Sequence, residues 1–168
     1  KYAGVSYFQN TTTDDVKVWI VTNASGFGTY AVRTSPTNYY AAGELMKQIS
    51  IDEEGHQVIE FSDKTGNVIL KKVQLTATAD NGSGSAHAGW LCTYYLYDNL
   101  NQLRAVIQPK AVDLMQPTTW TLTTDMLNEL CFRYEYDEYK RMIKKKVPGA
   151  TEVAMVYDRR DRLIMTQD

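Results

Sequence analysis

Apolar and polar residues alternate along most of this chain, as they do in strands that bury one face. In three stretches, large side chains recur at every second position just before a polar segment. These pairs are Tyr95 and Tyr97, Tyr134 and Tyr136, and Met155 and Tyr157. Because successive side chains of a strand point to opposite faces, the members of each pair share a face. The pattern predicts a mainly β fold of antiparallel hairpins arranged as a meander.

The polar segments share one frame, in which an aspartate is followed three residues later by a turn residue. The aspartates are Asp52, Asp63, Asp98, Asp137 and Asp158. The turn positions hold Gly55, Gly66, Asn101, Lys140 and Asp161. An aspartate in this place can accept hydrogen bonds from backbone N–H groups two or three residues on. Gly, Asn and Asp tolerate a positive φ, so Lys140 alone departs from the pattern of a tight turn.

The last two copies are the most alike, and both read Tyr-Asp-x-x-x-Arg followed by two apolar residues. They contain Tyr136, Asp137 and Arg141, and then Tyr157, Asp158 and Arg162. The two tyrosines are 21 residues apart, which is the length of one hairpin-sized repeat. A third copy begins at Tyr97 and Asp98, where Gln102 replaces the arginine and Arg104 replaces the second apolar residue.

These motifs resemble the RHS or YD-repeat family, in the form common in Bacteroidetes. The resemblance covers residues 43–168 and includes the lysine-rich stretch at 144–150. It implies a piece of a large secreted or cell-surface protein whose repeats wind into a β-rich shell, which in some members encloses a toxin. It also implies a structural, non-catalytic role, with neighbouring repeats of the parent chain as partners.

Residues 1–42 carry no Tyr-Asp copy but contain short β-like runs separated by turn residues. They are predicted to form a β-rich N-terminal cap region, followed by a repeat region over 43–168, or the two parts form one continuous domain. The Gly/Ser-rich stretch at 78–89 is predicted to be a hairpin tip. The chain begins and ends abruptly, as a fragment of a longer protein would.

One short helix is predicted over residues 124–131. Met126, Leu127 and Leu130 have helical spacing there, and Thr123 or Thr124 can cap the first turn. The stretch between Pro109 and Pro117 is interpreted as irregular.

Composition excludes several classes of function. The chain has 18 basic and 20 acidic residues, and a formal charge of −2 argues against binding to nucleic acid or to an anionic membrane. No apolar run approaches the roughly 20 residues that span a bilayer. Cys92 and Cys131 are 39 residues apart without metal-site spacing, so two buried thiols are expected. The exported location that the resemblance implies leaves a disulfide open.

The inventory of catalytic residues is small. His56 lies in a turn and His87 in the Gly/Ser-rich stretch, and neither is near a Ser or Cys nucleophile in a recognisable frame. Both histidines are expected to be solvated. Paired carboxylates occur in the turns at Asp52, Asp137 and Asp158, but an aspartate recurs in every turn, which is explained by turn geometry, whereas an active site needs only one copy. We therefore expect no enzymatic activity, cofactor or metal.

Two alternatives remain open. In the first, exposed Trp19, Trp90 and Trp120 form the platform of a carbohydrate-binding module, and in the second, the protein is an enzyme acting on glycans. The basic residues near the C-terminus are expected to be a solvated strand face, or else a patch for anionic glycans. Residues 155–157 or 163–166 are expected to form an open sheet edge that pairs weakly with a second copy.

Overall fold

The computed structural model describes residues 3–22, 26–76 and 86–167. The fold is mainly β, with one ten-stranded antiparallel sheet and one two-stranded sheet. The strands are β1 Gly4–Gln9, β2 Trp19–Thr22, β3 Thr29–Val32, β4 Met46–Ile51, β5 Gln57–Ser62, β6 Val68–Gln74, β7 Trp90–Tyr97, β8 Leu103–Ile107, β9 Cys131–Tyr136, β10 Met142–Lys146, β11 Glu152–Tyr157 and β12 Leu163–Gln167.

The order of strands in the large sheet follows the chain from β4 to β12. β1 joins the sheet beside β4, where Gly4 pairs with Ile51 and Gln9 with Met46. β2 and β3 form the small sheet. Because sequential neighbours pair with each other, the large sheet is a succession of hairpins, which confirms the predicted meander.

The chain divides into two compact units, and the division falls within β7. The first unit contains residues up to Trp19 and Val32–Tyr94, and the second contains Ile20–Ala31 and the residues from Tyr95 onward. The boundary expected near residue 42 stays a prediction.

The core of the first unit comes from one face of its strands. Along β5, every second residue is buried, and Ile59 and Phe61 are wholly inaccessible to solvent. Leu70 of β6 and Tyr94 of β7 are equally buried. A strand that buries one face shows this period of two, so the alternation in the sequence reports the burial correctly.

The second unit contains two helices, of which the sequence predicted one. α2 spans Thr124–Glu129, and the side chain of Thr123 accepts a hydrogen bond from the Met126 N–H at 3.3 Å. This confirms the predicted helix and its cap. The helix ends two residues before the predicted 131, because Cys131 already begins β9.

The expectation of an irregular stretch between Pro109 and Pro117 is wrong. α1 spans Pro109–Met115, with the proline at the start of the helix, where its missing N–H costs nothing. Ala111, Val112 and Met115 are fully buried. Their spacing marks one helical face, but in seven residues the pattern is too short to stand out from a loop.

Both cysteines are buried thiols, as expected. Burial raises the pKa of Cys131 to about 12, so this thiol stays protonated. Among the described residues, no helix is long and apolar enough to cross a membrane. Most of the expected hairpin tip at 78–89 lies outside the described residues.

Candidate functional site at the aspartate turns

All five aspartate turns have the same backbone geometry. In each, the aspartate N–H donates to the carbonyl four residues on, and its own carbonyl accepts from the N–H three residues on. The residue at the turn position has a left-handed backbone, with φ between 60° and 97°. Lys140, at φ 63°, adopts the same conformation as Asn101 at 64° and Asp161 at 60°. The three Tyr-Asp segments are therefore equivalent hairpins, and Lys140 is no exception.

One carboxylate oxygen, Oδ1, holds each turn closed. It accepts from the N–H groups two and four residues on, at 2.8–3.0 Å in all five copies. The expected donor two residues on is confirmed in every copy and the expected donor three residues on is confirmed at Asp52, whereas the donor four residues on was not predicted. At Asp158, the N–H of Arg162 is the main cause of a lowered pKa. Each aspartate is a structural part of its turn.

The second carboxylate oxygen, Oδ2, binds a side chain from the end of the same turn. In the last two copies, Nε of Arg141 donates to Asp137 and Nε of Arg162 donates to Asp158, each at 2.8 Å. Asn67 donates to Asp63 at 3.1 Å in the same way. In the last two copies, the arginine of the repeat thus closes the aspartate turn through Oδ2.

Arg141 also bridges its own turn to the next one. Its Nη1 donates to Asp161 Oδ1 at 2.7 Å and to the carbonyl of Asp158 at 3.4 Å. The guanidinium lies 5.0 Å from the ring centroids of both Tyr139 and Tyr157, within range of cation–π attraction. These residues line a cleft of about 440 Å³ between the two turns. Arg141 couples two successive repeats.

Arg162 is the equivalent of Arg141 in the final repeat, and it has no turn beyond it among the described residues. Its side chain is 68 % exposed, against 23 % for Arg141. β12 is the last strand in the sheet order, and every residue of it is exposed. The predicted open edge is confirmed at residues 163–166.

In the copy at Asp98, a different arginine completes the turn. Gln102 occupies the position of the repeat arginine, but the guanidinium of Arg104 reaches Asp98 Oδ2 at 3.3 Å. Arg104 also donates to the carbonyls of Tyr134 and Gly26 at 3.0 and 3.2 Å. This pair is almost wholly buried, unlike those of the later turns. In the sequence, Arg104 lies two positions after the place of the repeat arginine. Its contact with Asp98 becomes visible only in the folded chain.

We expect Asp137→Ala and Asp158→Ala each to lower the free energy of unfolding by about 1 kcal/mol. Each substitution removes turn hydrogen bonds, and their N–H donors then bind water instead. A loss of about 1 kcal/mol is usual for such bonds. Chemical denaturation of the two variants measures the effect. Glu138→Ala, an exposed substitution in the same kind of turn, serves as the control and should change stability by no more than about 0.5 kcal/mol. Unchanged stability in both aspartate variants would refute the role of the turns.

The tryptophans do not form an exposed platform. Trp90 is buried in the first unit, and Trp19 and Trp120 are half-buried. Trp19 packs edge-on against Tyr94, with ring centroids 6.0 Å apart. The expectation that all three are exposed is wrong, because these rings take part in packing. Their placement does not support a carbohydrate platform.

The expectation that both histidines are solvated is correct for one of them. His56 is half-exposed and lies 3.4 Å from Asp52 in its turn. His87 is only 3 % exposed, with Nε2 at 2.7 Å from the hydroxyl of Tyr94. A histidine after a Gly/Ser-rich stretch has no local signal for burial, since its partners come from distant parts of the chain. Within the described residues, no group of three or more His, Cys, Asp or Glu could hold a metal ion.

Comparison with known proteins finds a match in fold alone. No protein family and no curated sequence matches this chain. A solved structure of the Tc holotoxin pore from Photorhabdus luminescens, with a mutation in TccC3, contains a similar fold at 15 % identity and a TM-score of 0.51. The similar region covers 71 % of this chain and 6 % of that chain. The chain therefore spans a small part of the length of the protein it matches.

Proposed function

We propose that this chain is a structural segment of a β-rich shell of the RHS or YD-repeat type, in which hairpins stack side by side. The observation that carries the proposal is the bridge made by Arg141, which closes its own turn on Asp137 and binds the next turn at Asp161. A repeat that reaches its neighbour in this way builds an array one hairpin at a time.

The open edge supports the same function. In an array, each repeat presents an unpaired strand to the repeat that follows, together with a largely exposed arginine that is held by its own turn aspartate. β12 and Arg162 have both properties here. The last repeat is thus prepared to receive another strand.

The structural neighbour is consistent with a shell associated with a toxin complex. That structure is of a holotoxin pore, and the similar fold occupies only a small part of its chain. In our proposal, this chain forms part of the shell wall and has no catalytic role. The parent protein is exported or displayed at the cell surface. The use of the turn carboxylates in backbone hydrogen bonds supports a role without catalysis.

A scaffold of this kind must accept a strand at β12. We therefore expect the protein to be monomeric in dilute solution and to form a reversible dimer at high concentration, because an exposed apolar edge pairs with another edge. The arginines beside β12 should prevent open-ended assembly by mutual repulsion. Static light scattering across a concentration series, up to millimolar protein, measures the association.

Two matched substitutions locate the contact. Ile164→Lys places a charge on β12, where Ile164 is 62 % exposed, and should abolish the dimer. Leu100→Lys changes a residue of similar exposure, 54 %, in a turn away from the edge and should leave the dimer unchanged. A strict monomer in the unsubstituted protein, or a dimer that survives Ile164→Lys, would contradict the proposal. In the second case, the exposed edge β1 would be the contact instead.

A further inference from the structure

A network of buried charges lies in the first unit. Lys47 Nζ is 2.6 Å from Asp14 Oδ1, and both side chains are buried. Lys72, which is fully buried, donates to the backbone carbonyls of Asp14 and Ala86. The ammonium groups of both lysines lie over the ring of Phe61, at 5.5 and 5.3 Å from its centroid. The network joins the segment before β2, the sheet, and the segment just before β7.

His87 is at the centre of the contact between these segments. Its Nε2 is 2.7 Å from Tyr94 Oη, and the two rings stack with centroids 5.8 Å apart. The hydroxyl of Tyr94 already accepts the N–H of Lys17 at 2.9 Å. When this hydroxyl donates to Nε2, the proton of the neutral imidazole is on Nδ1. That nitrogen faces Asp15 Oδ2 at 3.9 Å.

The surroundings of His87 disfavour a positive charge. The segment before β2 contributes Asp14, Asp15 and Lys17, β4 contributes Lys47, β6 contributes Lys72, and β7 contributes Cys92 and Tyr94. Three lysines thus stand against two aspartates, and each aspartate already has a lysine partner. Burial, followed by the charges of Lys72 and Lys17, lowers the pKa of His87 to about 3.

We propose that His87 is an acid-sensitive latch that holds residues 86–89 against the first unit and releases them when the imidazole takes up a proton. The backbone of this segment is the part that would move. The Ala86 N–H donates to the Thr13 carbonyl at 3.1 Å, and the Trp90 N–H donates to the His87 carbonyl at 3.2 Å. Gly89 accepts from the Leu75 N–H at 3.1 Å. Release of the segment would open the bonds to Thr13 and Leu75, which tie it to the rest of the first unit, and free the acceptor of Lys72 at Ala86.

The direction of the effect follows from proton linkage. At a pH above the ordinary histidine value of about 6.5, the imidazole is neutral in both the closed and the open segment. Below that pH, the open segment binds a proton that the closed segment excludes until the pH is far lower. The ratio of open to closed segment should therefore rise about tenfold for each pH unit below 6.5.

Native-state hydrogen exchange tests the latch. After correction for intrinsic exchange rates, the opening constants of the Ala86 and Leu75 amides should rise about tenfold between pH 6 and pH 5. The Leu127 amide, in α2 of the second unit, should show no such rise. His87→Gln, which cannot be protonated, should abolish the rise. His56→Gln changes the other histidine and should leave the rise as it is in the unsubstituted protein.

An opening constant that does not change with pH in the unsubstituted protein, or an equal rise in His87→Gln, would overturn the latch. A variant that fails to fold does not prevent the test, because the ring of His87 can be titrated by NMR in the unmodified protein. The proposal requires that this ring stay neutral at pH 5 in molecules whose segment 86–89 is closed. Protonation near pH 6.5 without opening of the segment would disprove it.

Discussion

Replacing Asp14 by asparagine is expected to lower the free energy of unfolding by about 3 to 5 kcal/mol. The side chain of Asp14 is fully buried and is the carboxylate partner of Lys47 at 2.6 Å. Asparagine has nearly the same shape, so packing is retained while the negative charge is lost. The buried ammonium of Lys47 then lacks its counter-charge, and such a group destabilises a fold far more than an intact buried pair stabilises it.

Urea denaturation of the two proteins measures this loss, and two variants identify its cause. Asp113→Asn removes a carboxylate from the exposed side of α1 and should change stability by no more than about 0.5 kcal/mol. The double variant Asp14→Asn with Lys47→Met removes both charges and should recover a large part of the loss. If the double variant is as unstable as Asp14→Asn alone, the unpaired ammonium of Lys47 is not the cause.

Replacing Asp98 by alanine is expected to cost about 3 kcal/mol, or roughly three times the cost of Asp158→Ala. The two aspartates make the same turn hydrogen bonds from Oδ1. They differ in their guanidinium partner, because the side chain of Arg104 is 7 % exposed and that of Arg162 is 68 % exposed. Arg162 can return to water when its aspartate is lost, whereas Arg104 remains buried beside two carbonyl groups.

The comparison of these two variants separates turn chemistry from burial, since one is the matched control of the other. Thermal and chemical denaturation of both proteins gives the difference directly. Equal losses in Asp98→Ala and Asp158→Ala would mean that Arg104 gains nothing from its carboxylate. In that case, the buried arginine is stabilised by the carbonyl groups alone.

The turns and most strands could be predicted from the sequence because their causes are local. Asp158 reaches backbone groups no more than four residues away, so its role is visible in one short stretch. The alternation along β5 and β7 likewise follows from one exposed and one buried face.

Local reasoning failed where packing or distant partners decide. Lys140 adopts a left-handed backbone because its turn closes on Asp137, although lysine does not favour that conformation. α1 forms because its short apolar face is buried, and seven residues give too little pattern to predict it. Trp90 was expected to be exposed but is buried. The prediction failed because the residues around Trp90 do not show which face of β7 is covered.

Local sequence patterns were sufficient to predict the fold class, the five aspartate turns, the capped helix α2 and the repeat that ends in Arg141 and Arg162. Which polar groups are buried together became visible in the folded chain. Asp14 and Lys47 are 33 residues apart, and Lys17 and Tyr94 are 77 residues apart. Hydrogen bonds within a turn act over a few residues and leave a motif in the sequence. Burial of a charge depends on what the whole chain places around it, and no short stretch of sequence records that.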